Sequence, residues 1–280
     1  MTVKNIRFEI LSTDLFDSYK KEINNSLAER FEALTDSELS VDTFSFYTSV
    51  AAVFSSKIEG ESIELDSYVK HKRFDIDFLP DYTRKIDDLY EAYQFAKLHA
   101  CNQVNLEAAH TMLTKNILPA ARQGKERSGN MYVTTSDGKI EYVAAAPQIV
   151  NQELQKLFGD LESLVKAELS LSEVFFFASQ LHLVFVKIHP FDDGNGRAAR
   201  LLEKWFLATK LGGKAWFIQS EKNYYAHHQT YYKNIRRLGL EYRDLDFREA
   251  LPFMLMLPEA INIYSNAVSY THLRAHETKA

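Results

Sequence analysis

One short stretch, residues 189–200, concentrates side chains and backbone features that could do chemistry. It contains a titratable imidazole, two carboxylates, two glycines, an amide and two guanidiniums, in the order His-Pro-Phe-Asp-Asp-Gly-Asn-Gly-Arg-Ala-Ala-Arg. The run follows one of the most apolar segments of the chain, and Pro190 disfavours helical geometry at His189. We therefore expect a helix to end there and to hold the imidazole at the mouth of a loop.

Two glycines in this stretch flank an amide side chain and favour a site for an anion. Gly194 and Gly196 carry no side chains, so their backbone N–H groups can approach a ligand closely. Together with Asn195 they are predicted to form the start of the next helix, where free N–H groups and the helix dipole attract negative charge. A phosphate is the expected anion.

Three charged side chains of the stretch suit the remaining groups of a nucleotide. Arg197 and Arg200 share one face of the predicted helix, where their guanidiniums can bind outer phosphates. Asp193 offers a hard oxygen ligand of the kind that magnesium takes when it bridges two phosphates. The structural alternative is a tight helix–loop–helix turn with a solvated basic face.

Residues 189–200 resemble the signature of a known family. They fit His-x-Phe-x-(Asp/Glu)-Gly-Asn-Gly-Arg-x-x-Arg, the motif of the Fic family, at every specified position. The resemblance implies a helical, nucleotide-dependent transferase that moves AMP from ATP onto a hydroxyl of a target protein. It implies that His189 is the base, that Phe191 anchors the loop, that Asp193 binds Mg²⁺, that Asn195 with the Gly194 and Gly196 amides holds the α-phosphate, and that Arg197 and Arg200 bind the outer phosphates.

A second pattern lies far ahead of the first, at the end of a predicted helix. Residues 55–60, Ser-Ser-Lys-Ile-Glu-Gly, resemble the inhibitory (Ser/Thr)-x-x-x-Glu-(Gly/Asn) helix of the same family. The resemblance implies that Glu59 binds Arg200, that Ser55 helps to fix the helix end, and that the γ-phosphate subsite is thereby filled. A carboxylate is a good partner for a guanidinium and would compete with a phosphate for it. The alternative is a solvated end of a surface helix.

Residues 124–143 interrupt the helical pattern and predict a β-hairpin. Asp137-Gly138 stands between two β-prone runs, which is a strong turn signal. The hairpin resembles the Fic flap, which pairs with an extended segment of the target and presents its hydroxyl to the base. The flap residues implied for target binding are Gly129, Asn130, Met131, Tyr132 and Val133. The alternative is a surface hairpin without a function, although an unused exposed edge is a liability.

Several further residues receive predictions of their own. Tyr231 and Tyr232 belong to a Tyr-Tyr-x-x-(Leu/Ile) segment that resembles the one near the adenine in this family, while ordinary core packing explains them equally well. His110 is predicted to be an ordinary helix residue. Asn105 and Ser172 are predicted N-caps of the helices that follow them.

The composition of the chain limits the classes of protein to which it can belong. With 280 residues, 46% hydrophobic and 25% charged, it suits a globular protein with a sizeable core. The net charge of −5 provides no general attraction for nucleic acid or anionic lipid, so neither partner is expected. One cysteine, Cys101, excludes an internal disulfide and multi-cysteine metal sites. The first residues lack a signal-peptide pattern, so we expect a cytoplasmic protein.

Apolar residues recur mostly at three and four positions, which predicts a mainly α fold, a Fic-type helical bundle with a small β-hairpin flap. Residues 1–83 are predicted to form an N-terminal helical region that carries the inhibitory helix at about 41–60. Residues 84–267 are predicted to form the Fic catalytic core. Residues 268–280 resemble the translation of a sequencing adapter, and we expect them not to be native. The segment 247–260 contains Pro252 and Pro258, so its helix should be kinked or short.

These features together predict an enzyme that transfers AMP from Mg-ATP to a Ser, Thr or Tyr hydroxyl of a protein, including itself, and that Glu59 inhibits. One alternative keeps the fold but moves UMP, phosphocholine or phosphate, or removes AMP. Another alternative is a regulatory module that only senses ATP, against which the intact His189 argues. The target and the oligomeric state stay open, with a homo-oligomer as one option.

Overall fold

The computed structural model of the chain describes residues 6–261, apart from residues 24, 37–44, 77, 79 and 135–137. The described part is mainly α-helical, as predicted, with one small antiparallel hairpin. Its elements are α1 (Phe16–Glu22), α2 (Leu27–Glu32), α3 (Phe46–Ile58), α4 (Leu65–Phe74), α5 (Pro80–Leu98), α6 (Gln103–Leu113), β1 (Tyr132–Thr134), β2 (Ile140–Val143), α7 (Pro147–Lys166), α8 (Leu171–Ile188), α9 (Asn195–Leu211), α10 (Ser220–Ala226), α11 (His228–Arg236), α12 (Leu251–Met254) and α13 (Met256–Glu259).

The central element is α8, which is apolar on nearly every side and is surrounded by other helices. Its start is fixed by a capping box, in which the Ser170 hydroxyl accepts a hydrogen bond from Glu173 N–H and the Glu173 carboxylate accepts one from Ser170 N–H. Ser170 is therefore the N-cap, and the prediction of Ser172 was wrong by two residues. By length and composition α8 could cross a bilayer, but 83% of it is buried inside the molecule, as in a core helix.

Helix α9 packs closely against α8, and the motif of residues 189–200 spans the loop between them and the first residues of α9. Trp205 on α9 is buried, and its indole N–H donates to the carbonyl of His99 at 3.0 Å. This arrangement places the end of one buried helix and the start of another on either side of the loop at residues 189–194. The motif loop is therefore anchored at both ends by the core.

The helix predicted to be inhibitory is α3, whose N-cap Ser45 accepts a hydrogen bond from Thr48 N–H. It ends at Ile58, and Gly60 follows with a φ of +95°, the left-handed conformation expected at a helix C-terminus. The first residues of the predicted helix, 41–44, lie outside the described residues. Helix α3 packs against α5 and α10. Its C-terminal end lies beside α9, the helix that begins within the motif.

The predicted boundary between residues 83 and 84 falls inside α5. Buried residues on both sides of it, such as Val53 on α3 and Leu181 on α8, belong to one hydrophobic core. The N-terminal region is therefore packed into the same core as the motif helices. The predicted tail at 268–280 lies outside the described residues.

The predicted hairpin is present as β1 and β2, with Tyr132 opposite Val143 and Val133 opposite Tyr142. Gly138 has a φ of +82°, which fits its place in the turn, while residues 135–137 lie outside the described residues. The prediction of Asn105 as an N-cap was wrong, because Asn102 caps α6 by accepting from Asn105 N–H at 2.9 Å. The segment 247–260 is divided into a short 3₁₀-helix, α12 and α13, as its prolines predicted.

Candidate active site

His189 stands at the C-terminus of α8 in a left-handed conformation with a φ of +52°. A side chain with a Cβ rarely adopts this conformation, and such strain is typical of functional positions. Its N–H still donates to the Phe185 carbonyl at 2.9 Å, which closes the last turn of the helix. The imidazole is thus held at the mouth of the loop, as the Pro190 argument predicted.

The His189 ring has a defined hydrogen-bonding environment. Its Nδ1 lies 3.2 Å from the carbonyl oxygen of Val186 and 3.2 Å from the hydroxyl of Tyr142. A carbonyl oxygen only accepts, so the contact with Val186 requires a proton on Nδ1 and leaves the lone pair on Nε2. Burial lowers the pKa of His189 from 6.5 to about 4, so the ring is neutral at pH 7. A neutral imidazole with a free Nε2 can accept a proton.

The loop after His189 is folded on itself around Phe191 and Asn195. The Phe191 ring is buried and stacks on the His110 ring at a centroid distance of 3.6 Å. The Asn195 side chain accepts from Phe191 N–H at 2.9 Å and donates to the Phe191 carbonyl at 2.8 Å. The Asn195 amide therefore clamps the loop here, and its predicted contact with an α-phosphate stays a prediction.

Gly194 and Gly196 occupy positions that exclude a side chain. Gly194 has a φ of +78°, and a Cβ there would lie 2.7 Å from Cγ2 of Thr114. A Cβ on Gly196 would lie 2.4 Å from Oε1 of Glu59. The first-turn N–H groups of α9 have no acceptor within the helix, so the start of α9 is a suitable place for an anion.

The two arginines of the motif are buried side by side with carboxylates from the N-terminal region. Arg200 Nη2 donates to Glu59 Oε1 at 2.6 Å, while its Nε donates to the Ser55 hydroxyl at 2.8 Å. The Ser55 carbonyl also accepts from Arg200 Nη2 at 3.1 Å. Arg197 Nη2 lies 3.8 Å from Glu61 Oε1, and the buried Arg197 Nε has no hydrogen-bond partner among the described residues. The end of α3 therefore occupies the face where outer phosphates were predicted to bind.

The contact between Glu59 and Arg200 holds both groups in their charged forms. Desolvation raises the pKa of Glu59, but Arg200 and Arg197 lower it by more, so the carboxyl pKa ends below 4.5. Burial alone would lower the pKa of Arg200, whereas Glu59 raises it above its usual value. A charged, hydrogen-bonded pair that is largely removed from water is costly to break unless another anion replaces the carboxylate.

Tyr231 and Tyr232 lie on α11, and Tyr231 contacts Arg200. Tyr231 is fully buried, and its hydroxyl is 3.4 Å from Arg200 Nη1 and 2.9 Å from His182 Nε2. Tyr232 is partly buried, with its ring 4.9 Å from the His228 ring. Tyr231 thus packs in the core against the arginine, and a contact of either tyrosine with a nucleotide base stays a prediction.

The predicted flap residues lie along one edge of the hairpin near His189. Tyr132 is 57% exposed, and Gly129 and Asn130 are also exposed, so this edge is open to a partner. Met131 and Val133 are partly buried; Val133 packs against the core. The hairpin therefore presents an accessible strand beside the candidate base.

Residues 92–207 match the protein family described as the Fic/DOC family. This range contains the whole of the motif whose geometry is given above. Residues 92–207 form a domain of the Fic/DOC family.

Solved structures of Fic proteins share the fold of this chain. A Fic family protein from Desulfovibrio desulfuricans matches with a TM-score of 0.72 and 19% identity, over 98% of this chain and 78% of that chain. Fic-1 (residues 134–508) from C. elegans matches with a TM-score of 0.62 and 18% identity, over 95% of this chain and 73% of that chain. A Fic domain containing signaling protein from Bacteroides thetaiotaomicron matches with a TM-score of 0.61 and 16% identity, over 90% of this chain and 94% of that chain. The described residues therefore have the Fic-type helical fold.

A curated relative gives a closer match in sequence over a shorter range. Uridine 5'-monophosphate transferase from Xanthomonas campestris pv. campestris (strain 8004) is 42% identical over 87 residues. The match covers 30% of this chain and 16% of that protein. The chain thus shares a segment with this relative rather than its whole length.

Arg127 is a residue of the Fic domain that the sequence did not single out. Its side chain is 3% exposed and donates to the carbonyls of His189 at 2.7 Å, Gly129 at 2.6 Å and Ala145 at 2.5 Å. Its own N–H donates to the Pro190 carbonyl at 2.8 Å. One guanidinium therefore joins the flap to the loop that carries the candidate base.

His110 was predicted to be an ordinary helix residue, and this prediction was wrong. It is fully buried on α6 beneath the motif, with Nε2 2.9 Å from the Asp193 carbonyl and Nδ1 accepting from Gly124 N–H at 2.9 Å. Its ring also stacks on Phe191. Since each partner is distant in sequence or a backbone atom, no local pattern could have indicated this role.

The Fic domain offers one carboxylate in the position expected for a metal bound through phosphates. Asp193 is exposed; its Oδ1 accepts from Gly194 N–H at 2.6 Å, which orients the carboxylate. Within the described residues, no group of three His, Cys, Asp or Glu side chains could hold a metal ion. Asp193 therefore fits Mg²⁺ only when phosphates and water complete the coordination.

Proposed function

We propose that this Fic domain transfers AMP from Mg-ATP to a Ser, Thr or Tyr hydroxyl of a protein, itself included, and that Glu59 restrains the transfer. The observation that carries the proposal is the neutral His189, held at the mouth of the loop that leads to the buried Arg197 and Arg200. The site contains, in order along the chain, a base, a helix start that suits an anion and two guanidiniums. A target hydroxyl followed by a triphosphate requires the same order.

In the proposed reaction, the target hydroxyl gives its proton to Nε2 of His189 as its oxygen attacks the α-phosphorus. A new oxygen–phosphorus bond forms, the bond from the α-phosphorus to the bridging oxygen breaks, and pyrophosphate leaves. The first-turn amides of α9 bind the α-phosphate, and Arg197 and Arg200 bind the outer phosphates. Mg²⁺ on Asp193 would offset the negative charge on the phosphates. The exposed edge of the flap pairs with an extended segment of the target and brings the hydroxyl to His189.

In the proposed resting state, Glu59 occupies the guanidinium that a γ-phosphate needs. The 2.6 Å contact between Glu59 and Arg200 supports this restraint. The Cβ position of Gly196 lies only 2.4 Å from the Glu59 carboxylate, so the carboxylate also fills space at the start of α9. A triphosphate can still bind, but its outer phosphate cannot take its productive place until Glu59 moves.

A second candidate is transfer of UMP instead of AMP. It is favoured by the similarity of an 87-residue segment to a uridine 5'-monophosphate transferase. The motif residues contact phosphates, which ATP and UTP share, so they do not separate the two nucleotides. The choice depends on the pocket for the base.

The experiment that tests both candidates is intact-mass spectrometry of Glu59→Gly protein after incubation with Mg²⁺ and either ATP or UTP. Self-modification by the mass of AMP supports the first candidate, and modification by the mass of UMP supports the second. Addition of a phosphate mass would instead indicate phosphate transfer. Binding of ATP without any mass increase, including on proteins of a cell extract, would favour a module that only senses ATP.

A further inference from the structure

We infer that Tyr142 is a positioning residue for His189, which acts with the Val186 carbonyl to hold the ring tautomer that leaves Nε2 free to act as the base. The inference rests on the proposed function, because it assigns a role in proton transfer at the same site. It starts from a buried phenol that the proposed reaction does not otherwise use. Tyr142 is 2% exposed and belongs to β2, the inner strand of the flap hairpin.

The arrangement begins with a helix carbonyl that lacks its usual donor. In an α-helix the Val186 carbonyl would accept from the N–H of the residue four positions later. That residue is Pro190, which has no N–H. The Val186 oxygen is therefore available to side chains, and two of them reach it: the Tyr142 hydroxyl at 3.2 Å and Nδ1 of His189 at 3.2 Å.

The Tyr142 hydroxyl, the Val186 carbonyl and His189 Nδ1 contact one another, and only one placement of the protons gives each group a hydrogen-bond partner. The Tyr142 hydroxyl donates to the Val186 carbonyl, and its oxygen can then accept from Nδ1–H of His189 at 3.2 Å. If Nδ1 carried no proton, it would face the Val186 carbonyl as a second acceptor, which is unfavourable. With the phenol in place, the proton belongs on Nδ1 and the lone pair on Nε2.

The phenol itself is held in place by its surroundings. Burial raises the pKa of Tyr142 well above 10, so the hydroxyl keeps its proton at neutral pH. The ammonium of Lys187 lies 4.2 Å from the centre of the Tyr142 ring and donates to the Gly239 carbonyl at 3.3 Å. The ring is thus fixed between Lys187 and His189. Because Tyr142 lies on β2, the hairpin that presents the target through β1 also orients the base through its second strand.

The test is Tyr142→Phe, which removes the hydroxyl and keeps the ring. The protonation of the His189 ring nitrogens is read by ¹⁵N NMR at pH 7 without nucleotide, and the His189 signals are assigned by their loss in His189→Ala. In the wild type we expect a protonated Nδ1 and an unprotonated Nε2. In Tyr142→Phe, Nδ1–H loses one of its two acceptors, so we expect the His189 signals to shift toward the Nε2-protonated tautomer. In the Glu59→Gly background we expect a transfer rate lower by roughly tenfold with an unchanged KM for ATP.

The matched control is Tyr68→Phe. Tyr68 is also fully buried, and its hydroxyl donates to Asp87 at 3.0 Å in the N-terminal region, away from His189. It should change neither the His189 signals nor the transfer rate. The same tautomer and the same rate in wild type and Tyr142→Phe would overturn the inference. If Tyr142→Phe changes the His189 spectrum but Glu59→Gly protein transfers no nucleotide, Tyr142 positions His189 and the proposed function is refuted. The failure of the inference and the failure of the proposed function can therefore be distinguished.

Discussion

The carboxylate of Glu59 lies 2.6 Å from Nη2 of Arg200, a residue 141 positions later in the chain. The Arg200 side chain is 1% exposed and that of Glu59 is 28% exposed, so the contact is reached from one side only. A buried guanidinium with a partner on its open side can accept a phosphate only in exchange for that partner. The proposed inhibition and the proposed nucleotide binding would therefore compete for one group.

Replacing Glu59 with glycine should raise self-modification by roughly 10- to 100-fold, because Arg200 becomes free for the outer phosphate. Labelling with α-³²P-ATP measures the change. Adding Arg200→Ala to Glu59→Gly should cancel the gain, since the freed partner is then missing. Glu64→Gln is the control, because Glu64 is 79% exposed and Lys57, at 3.4 Å, is its one ion-pair partner among the described residues. Equal labelling of wild type and Glu59→Gly would refute the restraint.

Replacing His189 with alanine should lower transfer by at least about 100-fold and leave ATP affinity nearly unchanged, because the base contacts the hydroxyl and not the phosphates. Isothermal titration calorimetry measures the affinity, and labelling in the Glu59→Gly background measures transfer. His227→Ala is a suitable control, since His227 is exposed and, within the part of the chain that the structure describes, its ring bonds to Asn223 one turn earlier. A parallel loss of ATP binding would assign His189 a structural role.

The pH dependence of transfer should reveal the low pKa of His189. The base acts in its neutral form, which exists above its pKa, and burial lowers that pKa from 6.5 to about 4. Transfer by Glu59→Gly protein should therefore stay level from pH 8 to about pH 5 and decline with a midpoint near or below 4. Removing Glu59 moves the midpoint lower if anything, because its charge raises the pKa of His189. Tryptophan fluorescence at each pH monitors folding, and a midpoint near 6.5 would contradict the assignment.

Replacing Asp193 with asparagine should raise the Mg²⁺ concentration for half-maximal transfer by roughly tenfold, because the metal loses an anionic ligand. Asparagine retains an oxygen that can accept from Gly194 N–H, so the loop keeps its 2.6 Å contact. Asp192→Asn is the matched control, since the neighbouring carboxylate faces Arg122 at 3.7 Å. An identical Mg²⁺ titration for Asp193→Asn and wild type would remove Asp193 from the metal site.

Replacing Arg127 with methionine should lower the free energy of unfolding by on the order of 3 kcal/mol, because several buried carbonyls lose their donor. Urea unfolding measures the loss, and hydrogen exchange should be faster in the flap and at residues 189–191. Arg122→Met is the control, since its side chain is 63% exposed. Unchanged flap exchange would show that Arg127 does not join the flap to the loop.

The parts of the site that the sequence predicted are those encoded by local spacing. The end of a helix at His189, the loop of glycines and the arginine pair on one face of α9 all follow from neighbours within a few residues. The contact of Glu59 with Arg200 is not local, and it was predicted only because both segments resemble motifs of one family.

The parts that could not be predicted depend on tertiary packing. Arg127 and His110 bind backbone groups 62 and 83 residues away, and a backbone group carries no sequence signal. The two N-caps predicted at the wrong residues, Asn105 and Ser172, also depend on tertiary packing. Several polar residues near a helix start can each cap it, and the one that does so is selected by how the preceding chain enters the core.

The position of Glu59 at the C-cap of α3 has a consequence for the activity of the wild-type protein. Helix ends open locally far more often than whole proteins unfold, and one turn is enough to withdraw the carboxylate. If this opening costs about 3 kcal/mol, roughly 1% of molecules have a free Arg200 at any moment. The wild-type protein should then show a small basal rate that rises with temperature in step with hydrogen exchange at residues 58–61. The basal transfer rate of the wild-type protein would then depend on how often this helix end opens.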